Sequence, residues 1–222
     1  MMKIKQGLFL PKVKQWTMLV ALMLVAVLVA TVNAEARRVV DIYELSLDDN
    51  LETPVVKSKY ADKIQDYQYN QAVELIKHNY EVELMRNNEV IIVTITADKL
   101  FGANDTILSG EGKEHVKGLF KFLKNPGLYK MLLVMHSDDT GSPQYLVQLT
   151  RSRVNAVYDW IEANGNVDFV VPYALGGHEP LHDNKSMINR RINRRLEVYL
   201  VPGEVMIEQA KRGNININQI KK

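Results

Sequence analysis

The stretch from Met131 to Trp160 restricts the possible folds of this 222-residue chain more than any other. It opens on an unbroken apolar run, Met131 to Met135, which predicts a strand buried on both faces. His136, Ser137 and two adjacent carboxylates, Asp138 and Asp139, come next, and Thr140-Gly141 supplies turn chemistry. Ser142-Pro143 then marks a helix start, with serine as N-cap and proline at the first helical position, where its missing N–H costs nothing. At about 100° per residue, Leu146, Leu149, Val157 and Trp160 share one face of that helix. Arg153 lies near the middle of the same face, while Arg151 and Asn155 point away from it. An arginine centred on an apolar stripe is the anomaly in this unit.

A buried guanidinium must be paired, because removing its partner costs about 3–5 kcal/mol. The nearest acids stand at the top of the preceding strand, and the strand–turn–helix path brings Asp138 and Arg153 towards the same rim. Two readings stay open. One is an internal ion pair that fixes the helix on the strand. The other is a joint anionic and cationic site for a zwitterionic ligand, with the arginine fork gripping a carboxylate.

Other elements surround this unit. Arg38 to Leu45 reads as a short strand-like piece, followed by a linker broken by Asp48, Asp49, Asn50 and Pro54. The spacing of Ile64, Tyr67, Ala72, Leu75 and Ile76 predicts a helix over 61–77. Tyr80 to Met85 alternates, Glu89 to Thr96 is β-branched, and Arg86-Asn87-Asn88 suits a hairpin connection. Leu100 to Asp105 reads as a loop, and Ser109 as the cap of a helix running to about Lys124, stopped by Asn125-Pro126-Gly127. Val167 to Leu175 and Leu196 to Val201 are further strands, with a short helix over 184–192 capped by Asp183. Glu204 to Lys211 reads as a weakly docked helix and Asn214 to Lys222 as a tail. Together these predict an α+β fold, a mixed β-sheet with helices packed on one face.

Residues 1–34 are expected to be an export segment, either a signal peptide or a membrane anchor. Lys3, Lys5, Lys12 and Lys14 precede an uncharged run from Trp16 to Val32, and Val32-Asn33-Ala34 offers a small-residue cleavage site. The run is almost long enough to span a bilayer. Without its four lysines the formal charge of +2 becomes −2, which does not fit a nucleic-acid binder. The absence of cysteine excludes disulfides, cysteine metal sites and an acylated cysteine.

Catalytic chemistry finds little support. His136-x-Asp138 and His178-x-x-x-His182 raise a metal site, but Pro180 keeps the second pair from sharing a helical face. No G-x-S-x-G, G-x-G-x-x-G or Walker-type run occurs. No catalytic residue, cofactor or metal is therefore expected. The arginine-rich segment Asn189 to Arg195 reads either as a solvated basic surface or as the source of a second cation beside Arg153.

Three separated motifs carry a resemblance. The run His136 to Gly141, then Leu149 to Arg153, then Asn193-Arg194-Arg195-Leu196-Glu197-Val198 resemble, in order, the G-H-T-D-x-x-G, L-S-x-x-R and N-R-R-V-E motifs of the OmpA-like C-terminal domain family. The resemblance spans roughly residues 80 to 201. It implies a βαβαβ arrangement and non-covalent binding of peptidoglycan through the diaminopimelate of the stem peptide. By the same resemblance Asp138 and Arg153 are the ligand-binding pair and Arg195, rather than Arg194, is the second cation, while Arg190 and Arg191 face acids or solvent. Backbone N–H groups near Thr140 and Gly141 would help to orient the ligand. The chain departs from the pattern at Met135, where glycine is usual, and at Leu146, where an asparagine often contacts ligand.

On this reading 35–79 is a linker and helix, 80–202 the peptidoglycan-binding domain and 203–222 a C-terminal extension. A non-enzymatic protein of the periplasm or cell envelope is expected, tethering itself or its partners to the cell wall. The alternative is an inner-membrane-anchored component of an envelope machine, stator-like or secretion-related, with membrane-embedded envelope proteins as partners. Trp16 to Ala34 holds no ionisable residue, which argues against proton conduction. A wall-modifying hydrolase would lack a recognisable nucleophile or metal set.

Overall fold

The computed structural model describes residues 41–217. The expected export segment and the end of the expected tail, 218–222, lie outside the described residues. In chain order the elements are α1 (Leu47–Glu52), α2 (Ser58–Lys77), β1 (Glu81–Met85), β2 (Val90–Thr96), α3 (Ala97–Leu100), α4 (Gly110–Lys117), β3 (Tyr129–His136), α5 (Pro143–Glu162), β4 (Val170–Gly176), α6 (Met187–Asn193), β5 (Arg195–Pro202) and α7 (Glu204–Arg212). No helix among the described residues is long and apolar enough to cross a membrane.

The strands form one mixed sheet in the order β1-β2-β5-β3-β4. Only β3 and β4 pair in parallel, joined by α5 as the crossover, while every other neighbour is antiparallel. The last strand thus enters the middle of the sheet, between the hairpin and β3. The hairpin turn works as its residues suggest: Arg86, Asn87 and Asn88 take φ of 53°, 52° and 66°, a region asparagine tolerates better than most residues.

Alternation along the strands divides the sheet into two faces. Met131, Leu133 and Met135 of β3 join Leu196, Val198 and Leu200 of β5 in one apolar core. Against them pack Ile64 and Leu75 of α2, Val116 of α4, Val154, Val157 and Ile161 of α5, and Met206, Ile207 and Ala210 of α7. Helix α7 is therefore part of the core, and the weak docking expected of it is corrected. Its buried residues recur at helical spacing, which is why it packs as an amphipathic helix.

The opposite face is not bare. Val90, Leu132, Val134, Val171 and Val201 form a second cluster covered by Ile42, Leu47 and Leu51. Of the expected strand-like piece, 38–40 lie outside the described residues; 41–45 make a turn, and α1 follows where a linker was expected. Ser46 caps that helix by accepting from the Asp49 N–H, and Asp48 and Asp49 lie in its first turn, where negative charge suits the helix dipole. Lys130, on the same face of β3, is only 4% exposed and donates to Asn50 Oδ1 at 2.9 Å and to the Thr53 carbonyl.

Smaller corrections have local causes. Residues 97–100 make a helical turn before the expected loop. Ser109 caps α4 as expected, accepting from the Gly112 N–H at 2.9 Å, but the α-helix ends at Gly118 and a 3-10 turn continues from Phe120 to Leu123. The Tyr80 hydroxyl, which donates to the His115 carbonyl, would lie 2.0 Å from a Cβ at position 118. The short helix before β5 is capped by Ser186 rather than by Asp183, whose carboxylate accepts from the Asn189 side chain at 2.8 Å.

Candidate functional site

One end of the sheet gathers the ends of several elements. There β2 passes into α3, β3 into the 137–142 turn, and α6 into β5; the Ala97 N–H donates to the Arg194 carbonyl at 2.8 Å and ties two of these junctions together. The start of α5 stands over them. Ser142 caps this helix by accepting from the Tyr145 N–H, with proline at its first turn, as the residues predict.

Between these ends lies a cleft of about 370 Å³. Its walls include Asp98 and Phe101 on the α3 side, Ser137, Asp138 and Thr140 in the turn, Tyr145, Leu146, Leu149 and Arg153 on α5, and Arg190 and Arg194. Leu146, at the position where the family motif often has asparagine, forms part of an apolar wall.

Asp138 is 4% exposed and accepts from the Thr140 N–H at 2.9 Å, a turn that aspartate side chains form with the backbone two residues on. Its other oxygen is paired with the Arg194 guanidinium. Burial pushes the Asp138 carboxyl up, but the Thr140 and Arg194 hydrogen bonds outweigh it and hold the group below the ordinary carboxylate range.

Arg153 is 5% exposed, donates through Nε to the Asp105 carbonyl at 2.8 Å and stacks on the Phe101 ring at 5.2 Å. Burial lowers its guanidinium from the ordinary arginine value, and arginine stays charged regardless. Asp138 and Arg153 therefore share the cleft without the direct ion pair that one reading of the sequence offered.

The N–H groups of Thr140 and Gly141 bond within the turn, to Asp138 Oδ1 and to the Asp139 carbonyl at 3.0 Å. One further expectation is corrected. Arg195 does not line the cleft. It is 2% exposed on the outer face of the sheet, with Nε 2.7 Å from Glu197 Oε1 and further bonds to the Asn193 and Glu179 carbonyls. Alternation explains this, since Arg195 and Glu197 are two apart on a strand and share a face, which places the cation of the cleft at Arg194.

Glu197 anchors a buried network beneath the site. It also accepts from the Tyr199 hydroxyl at 2.6 Å and lies 3.2 Å from His136 Nε2. Burial would raise its carboxyl, yet the hydrogen bonds and the Arg195 charge bring it down to about 2. Sequence reasoning had Arg190 facing acids or solvent, whereas it lines the cleft, and it passed over Phe101 and Asp105, whose roles depend on loop paths with no periodic signal. For Arg194 the alternation of the last strand was a usable signal.

Neither a protein-family model nor a curated protein matches the chain. Among solved structures, a putative MotB-like protein from Desulfovibrio vulgaris matches with a TM-score of 0.57 and 18% identity, over 65% of this chain and 99% of that one. The cell wall anchor of the T6SS from Pseudomonas aeruginosa gives 0.49 at 21% identity, over 62% and 96% of the two chains. The OmpA-like domain of FopA1 from Francisella tularensis subsp. tularensis gives 0.43 at 15%, over 56% and 82%. The first is a likeness of fold, and the other two are too weak to argue from. With its strand–turn–helix unit and its last strand set into the middle of the sheet, the chain shares the α+β fold of that MotB-like protein.

Proposed function

We propose that this protein binds peptidoglycan non-covalently, through the diaminopimelate of the stem peptide, and so tethers itself or its partners to the cell wall of the envelope in which it resides. The observation that carries the reading is the placement of Asp138, Arg153 and Arg194 in one cleft with an aliphatic wall of Leu146 and Leu149. A diaminopimelate end presents a carboxylate, an ammonium and a short aliphatic stem. The Arg153 terminal nitrogens take the carboxylate as a fork, Asp138 takes the ammonium, and the leucines take the methylenes.

Charge-assisted hydrogen bonds contribute roughly 1.5–3 kcal/mol each. Two or three give modest affinity, which suits a tether that meets a polymer at many places. Equilibrium capture needs no nucleophile and no metal, so the protein acts as a binder rather than an enzyme.

Co-sedimentation of the full chain with purified peptidoglycan tests this, comparing wild type with Asp138→Asn and Arg153→Lys and checking each fold by thermal melting. Wild type is expected in the pellet and both folded variants in solution. Lysine keeps the charge at position 153 but not the fork, so full retention of that variant would remove the bidentate contact. Wild type left in solution would overturn the reading.

A further inference from the structure

The cleft holds more positive charge than a zwitterionic end can answer. Arg153, Arg190 and Arg194 all line it. Against them stands Asp138, already paired with Arg194. Asp98 lines the cleft as well, but its carboxylate is bound at 2.7 Å by Arg191, which is not part of the lining.

Two guanidinium groups are left with neutral acceptors. Arg153 donates to the Asp105 carbonyl and Arg190, through Nη1, to the Asn184 carbonyl, each at 2.8 Å. Among the described residues neither forms a salt bridge. Arg153 is buried and Arg190 half-buried, so water screens them less than it would on an open surface. A guanidinium withdrawn from water and facing a cleft favours an anion there. The diaminopimelate end brings one carboxylate and one ammonium, with no net charge. Its carboxylate answers Arg153, and nothing in it answers Arg190.

We propose that Arg190, one helical turn before Arg194, forms a second anion subsite, and that the ligand is a peptide with a further free carboxylate next to its zwitterionic end. The proposal rests on the diaminopimelate reading of the cleft and deepens it. In a γ-glutamyl–diaminopimelate peptide, the γ-linkage leaves the glutamate α-carboxylate free one residue from the diaminopimelate. Amidation of that carboxylate would remove the charge while keeping the shape. The subsite therefore makes the protein a reader of amidation at that position.

Isothermal titration calorimetry of the full chain in detergent separates the outcomes. The probes are alanyl-γ-glutamyl-diaminopimelate with the carboxyl of its amide-linked diaminopimelate centre capped as the amide, so that diaminopimelate offers only its zwitterionic end, and the same tripeptide with the glutamate α-carboxylate amidated as well. Wild type is expected to bind the amidated tripeptide on the order of tenfold more weakly. Arg190→Gln, with an unchanged melting temperature, is expected to bind both alike at the weaker level. Equal, tight binding of both by wild type overturns the second subsite and leaves the diaminopimelate site standing. Discrimination that persists in Arg190→Gln overturns the assignment to Arg190. Failure of wild type to bind either tripeptide sinks the diaminopimelate reading and this proposal with it.

Discussion

Asp138 and Arg153 line the same cleft but do not bond to one another; Arg194 pairs with the carboxylate, and the Asp105 carbonyl takes the Arg153 Nε. The Asp138 charge is thus set from the β5 side of the site, while the terminal nitrogens of Arg153 are left to the cleft. In the proposed binding mode the Arg194–Asp138 pair shares the carboxylate with an incoming ammonium.

If the cleft holds peptidoglycan as proposed, retention is expected to depend on pH in a way that Arg194 controls. Asp138 is held below the ordinary carboxylate range, and Arg194 is one of the groups that hold it there. Arg194→Gln lets the carboxyl rise, so the acid limit of retention moves to higher pH in the variant. Co-sedimentation across about pH 3–6, near ordinary carboxylate values, reads the shift. Superimposable profiles for variant and wild type would show that Arg194 does not tune the site.

Glu197 governs acid stability. Its carboxyl lies at about 2 in the fold against an ordinary 4.5, so between those values only the unfolded chain takes up the proton. Stability is fully present above 4.5 and falls as the pH drops through this window. The loss is of the order of 2 kcal/mol once partial solvation of the group is allowed for. Glu197→Gln should flatten this acid limb and, by leaving Arg195 buried without its carboxylate, cost about 3 kcal/mol near neutral pH. Urea unfolding at a series of pH values measures both.

Lys130 predicts the opposite limb. Burial on the outer face brings its ammonium down from 10.5 to about 8, with the Arg86 charge adding to the effect. Below 8 the side chain is charged in both states, and between about 8 and 10.5 only the unfolded chain keeps the proton. Its contribution to stability therefore rises with pH across that window. Unfolding of wild type and Lys130→Met at pH 7 and about 9.5 should show wild type gaining relative to the variant at the higher pH. A constant difference would mean that Lys130 titrates normally.

Gly177 ties the end of β4 to the site. A Cβ there would lie 2.8 Å from the Asp138 carbonyl oxygen, a backbone atom that cannot swing aside. Gly177→Ala is expected to displace the 138–141 turn, lowering peptidoglycan retention several-fold while the core still unfolds cooperatively; the loss of cooperative unfolding would make the clash global instead.

Much of the local structure was written in residue patterns. The apolar run 131–135, the Ser142-Pro143 helix start, the asparagine hairpin and the alternating strands each obey rules that act within a few residues, and each element formed close to its expected bounds. The misreadings cluster where a distant contact decides. Asp48 and Asp49 look like breakers until the outer face of the sheet draws Leu47 and Leu51 onto it as a helix. Residues 204–212 look peripheral until Met206 and Ile207 find the shared core.

By itself, the sequence determined the α+β class, the strand–turn–helix unit and the presence of an acid and an arginine at one rim, because periodicity and capping are local. Only the tertiary structure decided that β5 lies between β2 and β3, that Arg195 turns to Glu197 on the outer face, and that Arg194 and Arg190 join Arg153 around Asp138. Which side chain meets which charge across 56 residues of chain depends on strand order and register. Those are set by how the whole set of apolar faces is buried at once, and no short window of sequence contains that information.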